Sequence, residues 1–170
     1  RSAEPDAPAL AGLNVTALCE DRDGGIWAGT RGGELWRIQE GEWRAQTNHA
    51  QPHAIVAIVQ GADDRMWIGT EGSGVYRIKN GTGMRVNKGA GLLSDLIRTL
   101  YVDARGVVWI GTAGGGLSRW QDGRITTFTT REGLPDNTIS QILEDDTGRL
   151  WLGGNRGIAC IGKRDLEALG

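Results

Sequence analysis

Few side chains in this chain of 170 residues are of a type and spacing suited to chemistry. The two histidines, His49 and His53, could supply a base or a pair of metal ligands, but no third partner follows at a useful spacing. They read as loop residues. Aspartates crowd four short turns, Asp21-Arg22-Asp23-Gly24 foremost. A calcium loop needs about six oxygens and usually ends in a late Glu; no turn here has that pattern, so no metal is expected. The glycine runs GTRGG, GTEGSG and GTAGGG could pass for phosphate cradles. A phosphate cradle requires a helix N-terminus behind it, whereas each of these runs leads into another strand pattern. They are expected to be turns, and no cofactor is expected. Arg37, Arg77 and Arg119 recur in one register. They could ring an anionic ligand, or each could lay its stem over a neighbouring aromatic ring with its head in water; the second reading is preferred.

What positions these residues is a repeat. IWAGTRGGELWRI, MWIGTEGSGVYRI, VWIGTAGGGLSRW and LWLGGNRGIACI recur around Trp27, Trp67, Trp109 and Trp151, spaced 40, 42 and 42 residues apart. Twelve residues before each tryptophan stand Val15, Ile55, Ile97 and Ile139. Nine before stand Leu18, Ile58, Leu100 and Ile142, and eight before stand Cys19, Val59, Tyr101 and Leu143. Neighbouring strand residues face opposite ways, so a strand apolar at both positions must be covered on both faces. The polar turns DRDGG, ADDR, DARG and DDTG then lead into the Trp strand, a second turn and a third strand. Fourth strands are expected at Glu42–Gln46, Met84–Asn87 and Arg124–Thr129, and the last repeat lacks a convincing one. Helical periodicity is confined to Arg164–Leu169.

The expected fold is therefore all-β: a β-propeller of four blades, mostly four-stranded antiparallel sheets. Residues 1–11 form a lead-in, followed by blades at 12–50, 51–92, 93–134 and 135–170. Four blades can close alone, form half of an eight-bladed ring, or remain an open part of a larger one. An open arc bares two apolar end faces, so homodimerisation is expected. Cys19 lies on an innermost strand and Cys160 on a third. Two strand spacings are ~9–10 Å, beyond the ~7 Å limit for a disulfide; free, largely buried thiols are expected.

The run of apolar strand, Asp-x-x-Gly, Trp-Ile-Gly-Thr and Gly-Gly-x-Leu-x-Arg resembles the two-component regulator propeller repeat. The likeness covers about 13–161, with departures at Gly154, in place of Thr, and at Gly61, in place of Asp. The resemblance implies part of the extracytoplasmic sensory region of a bacterial receptor, commonly a hybrid histidine kinase, in a periplasmic or extracytoplasmic setting. The function it implies is a non-catalytic module that binds a small molecule, a glycan or a partner. The alternatives are a propeller lyase or a purely structural or engineered propeller fragment. A net charge of −2 with 24% charged residues makes no electrostatic case for nucleic acid or an anionic membrane. No apolar stretch reaches the ~18 residues of a membrane span.

The loops that lead into the innermost strands differ most among the copies, which suits a binding surface on a repeated frame. The ligand-face candidates are Asn14, His53, Asp95, Arg98 and Asn137. Trp27, Trp67, Trp109 and Trp151 are expected to pack blade on blade.

Overall fold

The computed structural model describes residues 12–46 and 53–169. The lead-in 1–11, His49 and most of the loop before His53 lie outside them. Among the described residues, fifteen strands form four antiparallel meanders. Blade 1 holds β1 (Val15–Glu20), β2 (Ile26–Thr30), β3 (Leu35–Gln39) and β4 (Glu42–Ala45). Blade 2 holds β5 (Ile55–Gln60), β6 (Met66–Thr70), β7 (Val75–Lys79) and β8 (Thr82–Val86). Blade 3 holds β9 (Ile97–Val102), β10 (Val108–Thr112), β11 (Leu117–Gln121) and β12 (Arg124–Phe128). Blade 4 has three strands, β13 (Gln141–Glu144), β14 (Arg149–Gly154) and β15 (Gly157–Gly162), followed by the short helix α1 (Lys163–Glu167). The second outer strand begins at Thr82, two residues before the sequence pattern placed it, because the two-residue hairpin Asn80-Gly81 pairs Lys79 with Thr82.

The cores lie between blades. Trp27 packs with Ile55, Ile58 and Ile68 of blade 2. Trp67 packs with Ile97, Leu100 and Ile110 of blade 3. Trp109 packs with Ile139, Leu150 and Leu152 of blade 4, and Leu166 of α1 joins that cluster. The tryptophan strands of blades 1 to 3 thus present a forward face to the following blade, which answers with a backward face, whereas Trp151, expected to pack in the same way, has no following blade to meet. Trp67 and Trp109 are 1% and 0% exposed.

The glycine two residues after each tryptophan makes this approach possible. A Cβ at Gly29 would lie 2.3 Å from Ile55 Cγ2, one at Gly69 would lie 2.7 Å from Ile97 Cγ2, and one at Gly111 would lie 2.6 Å from the Ile139 carbonyl. The isoleucine twelve residues before the next tryptophan is the knob, and the glycine is its socket. Gly154, in place of Thr, has a related cause, since a Cβ there would meet the Thr138 carbonyl at 2.3 Å.

The four sheets form an arc that does not close. The forward face of blade 4 has no following blade, which leaves Trp151 39% and Ile158 78% exposed; Leu143 on the same face is also bare. The third-strand counterparts of Ile158, namely Leu35, Val75 and Leu117, are buried. The backward face of blade 1 bares Val15 and Leu18, the latter 66% exposed. The open ends also correct the thiol expectation. Cys19 and Cys160 are free, but Cys160 pairs with Trp151 on the bare face and is exposed, while Cys19 is only half-buried.

Candidate functional site

The loops leading into the innermost strands and the second turn of each meander meet at one end of the blades. The contacts are backbone hydrogen bonds: Arg31 N–H to Asn14 O at 2.8 Å, Gly74 N–H to Asp95 O at 3.0 Å, Ala113 N–H to Leu96 O at 2.9 Å and Gly116 N–H to Asn137 O at 2.7 Å. Four of the five candidates also have polar side-chain contacts there. Lys88 N–H donates to Asp95 Oδ1 at 2.8 Å, and Thr130 N–H donates to Asn137 Oδ1 at 2.8 Å. Both residues stand fourteen before their tryptophan and tie their own loop. His53 has the same position in blade 2, with Nδ1 2.7 Å from Ser73 Oγ.

Arg98 lies where the β9 register skips a residue, a bulge that re-aims its side chain. It meets Glu71 of blade 2 at 3.3 Å, both groups well exposed. Asn14 is exposed at the blade 1 loop. The fold brings His53 against Gly72, next to Glu71 and so close to Arg98. Asn14, Asp95 and Asn137 belong to the loops of three different blades.

The Ser73–His53 contact joins residues twenty apart and was not legible from spacing. A hydroxyl beside an imidazole is half of a nucleophile–base pair. Ser73 is buried, however, and among the described residues no carboxylate is hydrogen bonded to the other His53 nitrogen. No group of three His, Cys, Asp or Glu among the described residues is placed to hold a metal. A cavity of about 600 Å³ lies elsewhere, between blades 1 and 2 beside Trp27, Arg37 and the Asn80-Gly81 hairpin.

The densest polar chemistry is at the opposite turns, in a latch the sequence showed only as a turn residue. Six residues before Trp27, Trp109 and Trp151 stand Asp21, Asp103 and Asp145. Each Oδ2 accepts the indole N–H, at 2.7, 3.2 and 2.8 Å. Each also meets one cation: Arg37 Nε at 2.8 Å, Lys163 Nζ at 3.2 Å and Arg149 Nε at 3.0 Å. Each Oδ1 accepts turn N–H groups, from Gly25 at 2.8 Å, Val107 at 3.0 Å and Arg149 at 3.0 Å. Burial pushes the Asp21 and Asp103 carboxyls up, but these donors outweigh it and hold both below the ordinary range. Asp145 is also held low by Thr147, Trp151 and the turn N–H groups.

Arg37 lies over Trp27 at 5.7 Å, Arg77 over Trp67 at 5.4 Å and Trp120 at 5.5 Å, and Arg119 over Phe128 at 6.0 Å. The recurring arginines therefore cover rings and, in Arg37, serve the latch. Between blades 3 and 4, Lys163 bridges Asp103 and Glu144, the latter at 2.5 Å, and Tyr101 Oη donates to Glu144 at 3.1 Å. Burial, then the Glu144 carboxylate, pushes the Tyr101 phenol up to about 12.

Interlocking meanders, three of the four with a tryptophan latch, define a β-propeller arc. The sequence model described as two component regulator propeller matches residues 9–32, 51–72, 91–114 and 133–156, and the chain belongs to that family. Among solved structures it is similar to the extracellular domain of the putative hybrid two component system BT4673 from B. thetaiotaomicron. That match has 22% identity over 89% of this chain and 24% of the other, with a TM-score of 0.69. It is also similar to virginiamycin B lyase from Staphylococcus aureus, at 18% identity over 87% of this chain and 55% of that one, with a TM-score of 0.66. The computationally designed Ika4 protein matches at 18% identity over 89% and 93%, again with a TM-score of 0.66. At these identities the likenesses establish the fold, and the chain spans about a quarter of the BT4673 domain. Comparison with curated proteins gives no match. No helix among the described residues is long and apolar enough to cross a membrane.

Proposed function

We propose that this chain is a non-catalytic sensory module of a bacterial two-component receptor. It takes a small molecule, a glycan or a protein partner on the loops that lead into its innermost strands. The supporting observation is membership of the two-component regulator propeller family, in a fold whose loops vary on a constant frame. The extracellular setting named for the BT4673 domain suits a periplasmic or extracytoplasmic parent. A lyase reading has less behind it, since the serine–histidine contact found among the described residues is buried on the serine side. Thermal-shift screening against glycans and small organic acids tests the proposal. A ligand of this face should raise the melting temperature, with the increase lost in Arg98→Ala or Asn14→Ala. If no member stabilises the chain, the reading fails.

The proposal extends to self-association. Blade 4 bares Trp151, Gly153 and Ile158, the forward-face set that a following blade covers elsewhere. Blade 1 bares Val15, which holds the knob position. A second copy can seat its Val15 on Gly153 and receive the same contact in return. Two identical interfaces then close a ring by two-fold symmetry. Light scattering should give twice the 18.3 kDa of one chain; a monomer at all concentrations overturns this part.

A further inference from the structure

Blade 2 alone lacks the latch aspartate, having Gly61 six residues before Trp67. In blade 1 two donors converge on that carboxylate: Trp27 Nε1–H at 2.7 Å and Arg37 Nε–H at 2.8 Å from Asp21 Oδ2. Their counterparts in blade 2 are Trp67 Nε1–H and Arg77 Nε–H. Both are buried, and neither has a partner. Buried donors left unpaired are costly, and here the same two are orphaned together.

Asp63 makes up part of the loss. Its Oδ1 accepts from Arg65 N–H at 3.2 Å, and its Oδ2 takes Arg65 Nη1 at 2.7 Å and Arg77 Nη2 at 2.5 Å. It therefore replaces the turn contact and part of the cation contact, but it reaches neither the indole N–H nor Arg77 Nε. A Cβ built at Gly61 would lie 2.8 Å from Trp67 Nε1, so the indole N–H is aimed at the place from which the missing side chain would leave. A cleft of about 260 Å³ between blades 2 and 3 is lined by Gly61, Trp67, Arg77, Arg105 and Trp120, with the acidic Asp63 and Asp122 also on its wall.

We propose that this cleft binds a small free monocarboxylate, whose carboxylate group stands in for the side chain that Gly61 lacks. The group accepts from Trp67 Nε1 and Arg77 Nε, as Asp21 accepts from Trp27 and Arg37. A short alkyl group then lies along the edge-to-face pair of Trp67 and Trp120, whose ring centroids are 5.4 Å apart. Arg65 and Arg77 already offset the charge of Asp63, and Arg105, which also pairs with Glu167, brings a further positive charge to the cleft for the ligand. The cleft, about 260 Å³ against ~30 Å³ for one water, has room for formate, acetate and acids a few carbons longer. The site is separate from the loop face, and its test is independent of the sensory reading.

The test is titration of the ¹⁵N-labelled chain with sodium formate and sodium acetate at constant ionic strength, with chloride as the control. The indole N–H signals of the seven tryptophans are followed. The Trp67 signal should move saturably with either acid while the others stay, and chloride should not move it. In Gly61→Asp the tethered carboxylate occupies the place, so the Trp67 signal should be displaced at the outset and should not titrate. Arg77→Lys keeps the charge but removes Nε–H, so it should weaken binding several-fold and give a readout if Gly61→Asp does not fold. The proposal is overturned by no saturable movement, as when water alone satisfies the donors. It is also overturned by equal movement with chloride, or by unchanged titration in Gly61→Asp or Arg77→Lys.

Discussion

At the residue scale, the carboxylates six before Trp27, Trp109 and Trp151 each do three things: they knot the turn, satisfy the indole N–H and neutralise a cation. How much that contributes depends on what covers it. Asp103 is buried, so Asp103→Ala strands the buried Trp109 indole N–H and the Val107 N–H while Lys163 keeps Glu144, and it should cost about 1–3 kcal/mol in urea unfolding. Asp145 makes the same contacts on the free face in water, and Asp145→Ala should cost much less. These carboxyls also set the acid limit. At Asp63 burial raises the pKa, but Arg65 and Arg77 hold it at about 2, and Asp21 and Asp103 are likewise held low. A carboxyl with a depressed folded pKa stabilises the fold above its unfolded value and loses that contribution as pH falls. Thermal unfolding should show stability declining from about pH 4 towards pH 2, and Asp103→Ala should flatten that decline. The aspartate turns were visible in the sequence, but their role was not. The indole that each aspartate meets comes from the next strand, and the cation comes from a third strand, the same strand or the terminal helix.

At the element scale, the forward and backward faces of neighbouring sheets fit as knob and socket. The isoleucine twelve before a tryptophan and the glycine two after the preceding one are partners 26 or 28 residues apart. Gly69→Ala places a methyl group 2.7 Å from Ile97 Cγ2; overpacking of this kind should cost about 1–3 kcal/mol in chemical denaturation. Gly153→Ala, whose added Cβ meets only Gln141 at 3.3 Å, should be close to neutral in the single chain. The meanders and their order were legible, because strand period and turn residues are local properties. The three-stranded blade 4 was legible as well. The packing role of α1, whose Leu166 closes the blade 3–4 core and whose start carries Lys163 to Asp103, was not.

For the whole molecule, the arc leaves an apolar face at each end, and exposed patches of this kind normally mark contacts. A charge placed in that contact is the sharpest check of the proposed ring. Leu18→Glu lies on the backward face of blade 1, where Leu18 is already bare in the single chain, so folding should be preserved while the dimer is lost to light scattering. Cys160 offers a second readout on the opposite face. Its thiol should be alkylated slowly in the wild-type dimer and several-fold faster in Leu18→Glu. An equal rate in both would count against the ring.

The sequence by itself determined the propeller repeat, its family, and the tryptophan and glycine that recur in each copy, because these follow from periodicity along one chain. Only the tertiary structure decided which side chains meet across blades. It alone showed that three aspartates latch three indoles, that the fourth indole points at a glycine, and that the two end faces stay bare. Those outcomes depend on contacts between distant strands, and spacing along a chain carries no record of them.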